Sequence, residues 1–343
     1  MPQDNTVLSK KSIEYLLDTY YDLSMDNAVP IPRGTANCFR IDTKEDVLFL
    51  KEYPSWTKAG DVRQEGDLVS YLAQHSFPVS TLIQTVSGDY YCIFEDRIIS
   101  IQRFIHGKTF SNYDLPDDIL MESAELLGRM HVLLHDYDLP VDMSSEWIKG
   151  FDLKWQQAKY DILLKELDKY VADEYYHMIR EDLLYKRELL TRVEPYGSLF
   201  ERITYCSSHG DYNSLQFICG DSKIKAVIDF STAKKLPVVW ELARNYMQSS
   251  SVDGSFQTEK FRMYLRHYQK YSPLNEFDIH YILHIYLYQL ARSQYGYREY
   301  LQKKAQNAGA LIRFAHWRTE MCRGLERRIA ADTNPLLVST QNS

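Results

Sequence analysis

The chain has 343 residues, with hydrophobic residues at 45% and charged residues at 25%, ordinary globular values that allow one large domain or two lobes over a substantial core. Its formal charge of −7 argues against a non-specific nucleic-acid binder, which needs a basic surface, and fits a cationic small substrate. No stretch approaches the roughly 18 uninterrupted apolar residues of a membrane span, and no basic region leads into an apolar run at the N-terminus, so neither a membrane partner nor a signal peptide is expected.

Cys38, Cys92, Cys206, Cys219 and Cys322 are scattered and form no Cys-x-x-Cys pair. That pattern argues against a disulfide framework or a structural zinc site and suits a reducing cytoplasm. The 27 tyrosines are dispersed and make no repeat.

Residues 9–23 predict an amphipathic helix with Ser12 as N-cap and Ile13, Leu16, Leu17 and Tyr20 on one face. Strand, loop with Gly34, strand, turn at Thr43–Asp46 and strand follow. Gly34 permits close backbone approach to a phosphate, with Thr35 and Asn37 offering donors; taken on its own, a single glycine reads more readily as a plain β-turn. Lys51 ends the third strand on the same face as Val47 and Phe49. A lysine on a mostly apolar strand needs an anionic partner. Glu65 offers one, on a helix from about Val62 to Gln74 that shares its face with Leu68, Val69 and Leu72; the plain alternative is a lysine and a glutamate that never meet.

Strands around Tyr90–Glu95 and Arg97–Ile105 end at His106-Gly107, a natural break between lobes. Gly107-Lys108-Thr109 is like the tail of a P-loop, but Gln102 stands where the first glycine is required, so that motif is rejected. A helix follows over 117–135, carrying His131 and His135 as packing or capping residues. Two long helices are expected over Trp155–Val193, and further helices over 255–330, broken at Pro273 and more softly at Gly296 and Gly309. His280 and His284 stand four apart without a third ligand and read as a core or surface pair. The last dozen residues read as a frayed tail.

The densest pattern is Ser208-His-Gly-Asp-Tyr-Asn-Ser-Leu-Gln-Phe-Ile218, a polar turn, and Lys225-Ala-Val-Ile-Asp-Phe230. Two apolar runs around Gly220-Asp221-Ser222 predict a hairpin. Asp211 precedes its first strand and Asp229 follows its second, so antiparallel pairing brings both carboxylates to one end, a pattern suited to metal-assisted phosphoryl transfer.

These residues resemble those of the aminoglycoside phosphotransferase and choline kinase superfamily. His209–Phe217 is similar to its His-Gly-Asp-x-x-x-x-Asn loop, Val227–Ser231 to its metal-binding segment, and Pro237–Arg244 to its Pro-x-x-x-Asp/Glu-Leu-Ala helix. Leu127-Gly-Arg-Met-His131 is similar to its Leu-Gly-x-Leu-His helix. The resemblance implies an α+β, bilobal protein-kinase-like fold. It comprises an N-terminal nucleotide-binding lobe over 1–106, a C-terminal catalytic and substrate-binding lobe over 107–331, and a flexible tail over 332–343. It further implies a small-molecule kinase using ATP, or GTP, with Mg2+, and a small hydroxyl compound as acceptor: an aminoglycoside, choline or ethanolamine, homoserine or a sugar derivative. Asp211 would deprotonate the acceptor hydroxyl and Asp229 would ligate Mg2+. Gly34, Thr35 and Asn37 would form the nucleotide loop, and Lys51, held by Glu65, would take the α- and β-phosphates. The backbone from Gln102 through Phe104 to Ile105 would take the adenine.

One position departs. Gln216 stands where the family has asparagine, keeping a carbonyl oxygen for Mg2+ but one methylene longer. That leaves a second reading, a non-catalytic pseudokinase-like scaffold that binds nucleotide or a partner. A more distant third, a metal-dependent hydrolase using His209, Asp211 and Asp229, gives Lys51 and Glu65 no purpose.

Overall fold

The computed structural model describes residues 6–31, 36–112, 114–140, 151–251, 255–303 and 308–331. In chain order the elements begin with α1 (Lys10–Tyr21), β1 (Asn27–Ile31), β2 (Asn37–Asp42), β3 (Val47–Glu52), α2 (Ala59–Gln74), β4 (Leu82–Ile83), β5 (Cys92–Phe94) and β6 (Arg97–Arg103). They continue with α3 (Asp117–Leu133), α4 (Leu153–Leu167), α5 (Tyr176–Val193), β7 (Tyr205–Ser208), β8 (Phe217–Gly220), β9 (Lys223–Val227) and β10 (Lys234–Pro237). The helices α6 (Val238–Ser250), α7 (Thr258–Gln269), α8 (Glu276–Arg292), α9 (Tyr297–Lys303) and α10 (Ala308–Ala330) close the described chain. None of the described helices is long and apolar enough to cross a membrane.

By their internal contacts the residues form two compact units, Met1–Thr109 with Gln216–Ala233, and Phe110–Leu215 with Lys234–Ser343. The expected boundary at 106/107 kept everything to 331 together; the structure instead groups the β8–β9 hairpin with the first unit. The expected tail over 332–343 lies outside the described residues, as do Gly34 and Thr35.

The first unit is an antiparallel sheet in the order β1-β2-β3-β6-β4, with β5 also paired to β6. Alternation decides its faces: Leu48 and Leu50 of β3 enter a core with Ile13, Leu16, Leu17, Ile41, Ile99 and Ile101, which leaves Val47, Phe49 and Lys51 on the opposite face. The cap of α1 is Ser9, one turn earlier than expected, because its Oγ accepts from Ser12 N at 3.1 Å. Pro30 lies in β1, the sheet's edge strand, where a missing N–H costs nothing.

The β8–β9 hairpin pairs Phe217 with Val227 and Gly220 with Lys223. Asp221 and Ser222 take φ of 47° and 62°, the two-residue turn with both centres left-handed that suits the twist of a hairpin. Single bridges tie it to the unit at Val79–Val227 and Lys108–Cys219. A Cβ on Gly107 would lie 2.5 Å from Cys219 O, so the close approach needs glycine there. This packing, not phosphate binding, accounts for Gly107-Lys108.

The second unit is helical around the small β7–β10 pair, whose register sets Ser208 opposite Lys234 and Tyr205 opposite Pro237. Helix α8 packs against α5, α6 and α10, and α3 against α6, α7 and β7. Tyrosines fill much of this core, among them Tyr160, Tyr212, Tyr246, Tyr264 and Tyr268. Their hydroxyls stay buried because they find hydrogen-bond partners: Tyr212 Oη donates to Ser123 O at 2.8 Å, Tyr160 Oη to Ala291 O at 2.5 Å, and Tyr264 Oη accepts from Asn245 Nδ2 at 2.7 Å. The two expected helices over 155–193 are α4 and α5. The glycines divide differently from expectation: Gly296, at φ 93°, marks the break before α9, whereas Gly309 lies inside α10.

Candidate active site

In the first unit β3 aims Lys51 off the sheet's non-core face, and α2 buries Glu65 with Val62, Leu68, Val69 and Leu72. Lys51 Nζ lies 2.8 Å from Asp229 Oδ1 and 3.8 Å from Glu65 Oε1. The lysine and glutamate therefore do meet, and Asp229 joins them from the end of the β8–β9 hairpin. Burial alone would push the Lys51 ammonium down, but the Asp229 and Glu65 carboxylates outweigh it and hold it well above the usual lysine range. Lys51 is thus a charged, buried cation placed by two acids.

Tyr53, two residues on and on the same face, completes the group. Its hydroxyl donates to Glu65 Oε2 at 2.9 Å, and its ring lies 4.5 Å from Lys51 Nζ. Sequence reasoning missed it, although the period of two from Lys51 was the available signal.

Asp229 adopts left-handed backbone, φ 63° and ψ 65°, a region that aspartate visits more readily than most L-residues. Ser231 Oγ donates to its Oδ1 at 2.8 Å, and Gln64 Nε2 anchors the turn by donating to Ala233 O at 3.4 Å. Ile228 N donates to Gln216 O at 3.0 Å, so the hairpin sets the backbone of Gln216 beside the segment that carries Asp229. A carboxylate and an amide oxygen at one end of a hairpin fit a hard divalent cation, which takes oxygen ligands. The Asp229 side chain is 43% exposed, leaving it accessible to such an ion.

Of the other expected nucleotide residues that are described, Asn37 and Gln102 lie in the same sheet. Asn37 is half-buried in β2 opposite Glu52, one register step from the Cys38–Lys51 pair. Gln102 in β6 pairs with Phe49 and Leu82. Just past β6, the Phe104 N–H is taken by Val47 O at 3.2 Å, so it is the other polar groups of 102–105 that could meet a base.

Asp211 belongs to the second unit, on the loop that leaves β7. Gly210 has φ 82°, which gives the loop its sharp turn. Asn213 is buried and turned inward: its Nδ2 donates to Asp211 O at 2.6 Å and its Oδ1 accepts from Leu215 N at 3.0 Å. Both ends of that amide serve the loop's own backbone.

Glu241 on α6 is the loop's buried anchor. Its carboxylate accepts from Gly210 N at 2.7 Å, from Tyr212 N at 3.4 Å and from Ser208 Oγ. His131 of α3 joins Ser208 Oγ to Tyr268 Oη, at 2.7 and 2.8 Å, so its packing role also braces the strand before the Asp211 loop. Burial by itself pushes Glu241 up; hydrogen bonding from His131, the charge of His209 and the Ser208 bond outweigh it and hold the carboxyl below the usual glutamate range. Arg244, one helical turn on, forms an ion pair with Asp211 Oδ1 and reaches Gly210 O at 3.4 Å. His280 and His284 stack at 6.2 Å on α8; neither belongs to a three-ligand group among the described residues.

The chain's fold is shared with small-molecule kinases of known structure. Spectinomycin phosphotransferase, in complex with ADP and spectinomycin, superposes with a TM-score of 0.66 at 14% identity, covering 94% of this chain and 100% of that one. An amicoumacin kinase in complex with AMP-PNP and Ca2+ gives 0.64 at 14% identity, with 92% and 94% covered. The Plasmodium vivax ethanolamine kinase gives 0.59 at 18% identity, with 93% and 90% covered. No curated protein matches the sequence. The sheet-and-helix first unit and larger helical second unit are those of the bilobal protein-kinase-like class. The sequence profile of the phosphotransferase enzyme family matches residues 27–274, a span that holds Lys51, Glu65, Asp211, Gln216 and Asp229 alike, and the chain belongs to that family.

Proposed function

We propose that this protein transfers the γ-phosphoryl group of a nucleoside triphosphate, ATP before GTP, to a hydroxyl of a small molecule. The observation that carries the reading is the buried Lys51, kept charged by Asp229 and Glu65. A cation buried at that cost and flanked by acids has a use when it meets phosphate oxygens. Nucleotide and Ca2+ complexes of the structural neighbours support the cofactor class.

In this reading Lys51 binds the α- and β-phosphates, Glu65 and Tyr53 fix its position, and Asn37 with the 102–105 backbone lines the nucleotide. Asp229 and Gln216 would hold Mg2+, which supplies charge neutralisation to the phosphates when bound. Asp211 accepts the acceptor's hydroxyl proton, held in place by Arg244 and by a loop that Glu241 anchors. Such chemistry depends mainly on positioning and charge, which are what these contacts provide.

Gln216 favours the second reading, a nucleotide-binding scaffold without turnover. A labelled-ATP assay against a panel of hydroxyl metabolites, run beside Mg-ATP thermal stabilisation, separates the two. Turnover of a panel member supports the kinase. Stabilisation without turnover across the panel supports the scaffold, and absence of both removes the two together.

A further inference from the structure

The second unit buries a cation that no carboxylate among the described residues pairs with. Arg318 on α10 is 8% exposed, and among the described residues it makes no ion pair or hydrogen bond; its Nε is buried without an acceptor. Its guanidinium lies 5.7 Å from the Phe314 ring centroid. Arginine does not shed its proton in proteins, so the charge stays, although burial and the neighbouring Arg244 both disfavour it. A buried unpaired charge is costly to the fold and calls for a partner that the described residues do not supply.

A second orphan sits beside it. The Tyr286 hydroxyl on α8 is 1% exposed and likewise lacks a partner, and it lies in the field of both Arg318 and Arg244. Helix α8 packs on α6, which carries Arg244, and on α10, which carries Arg318. The group is joined to Asp211 in two ways. Arg244 is ion-paired with it, and Tyr295, whose ring is 6.3 Å from that of Phe314, feels the charges of both Arg318 and Asp211. Tyr295 also lines a cavity of about 250 Å³ whose walls include Lys159, Arg292, Arg298 and Gln294 and, among the described residues, no carboxylate. The Gln294 Nε2 is another buried donor without an acceptor.

We propose that Arg318 and Tyr286 form a subsite for an anionic group, a carboxylate or a phosphate ester, on the hydroxyl substrate whose proton Asp211 accepts. The inference rests on the phosphotransferase reading for the word substrate, and it names that substrate's class: a hydroxy acid or a phosphorylated polyol. It runs against the cationic acceptor that the overall charge of −7 suits. Net charge averages over the whole surface, whereas recognition follows the local groups, and an ammonium placed here would add to positive charge already uncompensated. An anion instead meets a planar fork of donors and a phenol, the pairing for which arginine is suited.

The test is isothermal titration of the full chain with four hydroxyl probes of similar size: glycerol, D-glycerate, glycerol 3-phosphate and ethanolamine. D-Glycerate or glycerol 3-phosphate is expected to bind at least about tenfold tighter than glycerol and ethanolamine, as a charge-assisted pair gives, and the better of the two identifies the anion. Arg318→Met is expected to abolish that preference. Arg318→Lys, which keeps the charge and loses the fork, retains part of it, and Tyr286→Phe weakens it; these two variants carry the test if the methionine variant does not fold. Equal binding of all four probes, tightest binding of ethanolamine, or an anion preference that survives all three substitutions overturns the proposal. Phosphoryl transfer is measured separately on the wild type. Anion preference without any transfer keeps the subsite and removes the kinase reading, while transfer to ethanolamine alone keeps the kinase and removes the subsite.

Discussion

Arg244 and Asp211, 33 residues apart, form an ion pair. The arginine leaves α6 three residues after Glu241, so one face of one helix fixes both the backbone and the carboxylate of the Asp211 loop. Arg244 lies over the Trp240 ring at 5.3 Å, which limits its freedom before it meets the acid. Its expected part is to position Asp211. Arg244→Ala should lower kcat by about tenfold to a hundredfold, the scale of a small misplacement, and leave the KM for ATP unchanged. Arg244→Lys should recover part of the loss. Steady-state kinetics of both variants check this, and a rise in the ATP KM without loss of kcat contradicts it.

Lys51→Met removes the cation shared by Glu65 and Asp229. Glu65 is then a buried carboxylate without its lysine, and a cost of roughly 2 to 4 kcal/mol is expected from breaking a buried pair on one side. The melting temperature should fall, and Mg-ATP should no longer raise it. Differential scanning calorimetry with and without nucleotide reads both effects.

Glu241→Gln keeps the shape and removes the charge that two backbone N–H groups and Ser208 address. A loss of about 2 to 4 kcal/mol is expected at neutral pH. Because the folded-state carboxyl is held below its ordinary value of 4.5, its contribution is present above that pH and disappears as pH falls through the lowered value. Urea unfolding should therefore show a gap between wild type and variant that narrows in acid. A gap that does not change with pH contradicts the assignment.

At alkaline pH the sign reverses. Burial pushes the thiols of Cys38, Cys92 and Cys206 up to about 11, and the Tyr286 phenol up to about 12, with Tyr21, Tyr53 and Tyr264 higher still. Groups raised in the folded state hold stability below their ordinary values, 9.0 for the thiols and 10.0 for the phenols, and lose it above them. Lys186 opposes this: burial lowers it to about 8 from 10.5, so it adds stability as pH rises across that interval. One group against several leaves a net fall above about pH 9. The tyrosinate absorbance of the buried rings should then appear in one cooperative step on alkaline unfolding, and its appearance without loss of the fold contradicts their burial.

The parts legible in sequence were those set by local rules. Period-two alternation put Lys51 opposite the core face, helical spacing put Glu65 with Leu68, Val69 and Leu72, and turn chemistry marked the hairpin between Phe217 and Val227. What escaped was decided by tertiary contact. Nothing in the spacing of Arg244 says that it meets Asp211, and the Glu-Leu-Ala motif does not show that Glu241 binds the backbone of Gly210 and Tyr212. The two-residue β4 and the four-residue β7 and β10 are too short for a periodicity to register. The hairpin's membership of the first unit likewise follows from the Lys108–Cys219 and Val79–Val227 bridges, which join segments far apart in the chain.

The central claim is that Asp211 takes a proton from a hydroxyl while Lys51 and Asp229 handle the nucleotide. The most direct measurement is phosphoryl transfer and Mg-ATP affinity in Asp211→Asn, side by side with wild type. The expected result is a loss of turnover of roughly a hundredfold to ten-thousandfold, the range for removing a general base, with Mg-ATP affinity unchanged. An Asp211→Asn protein that turns over as the wild type does contradicts the assignment of Asp211.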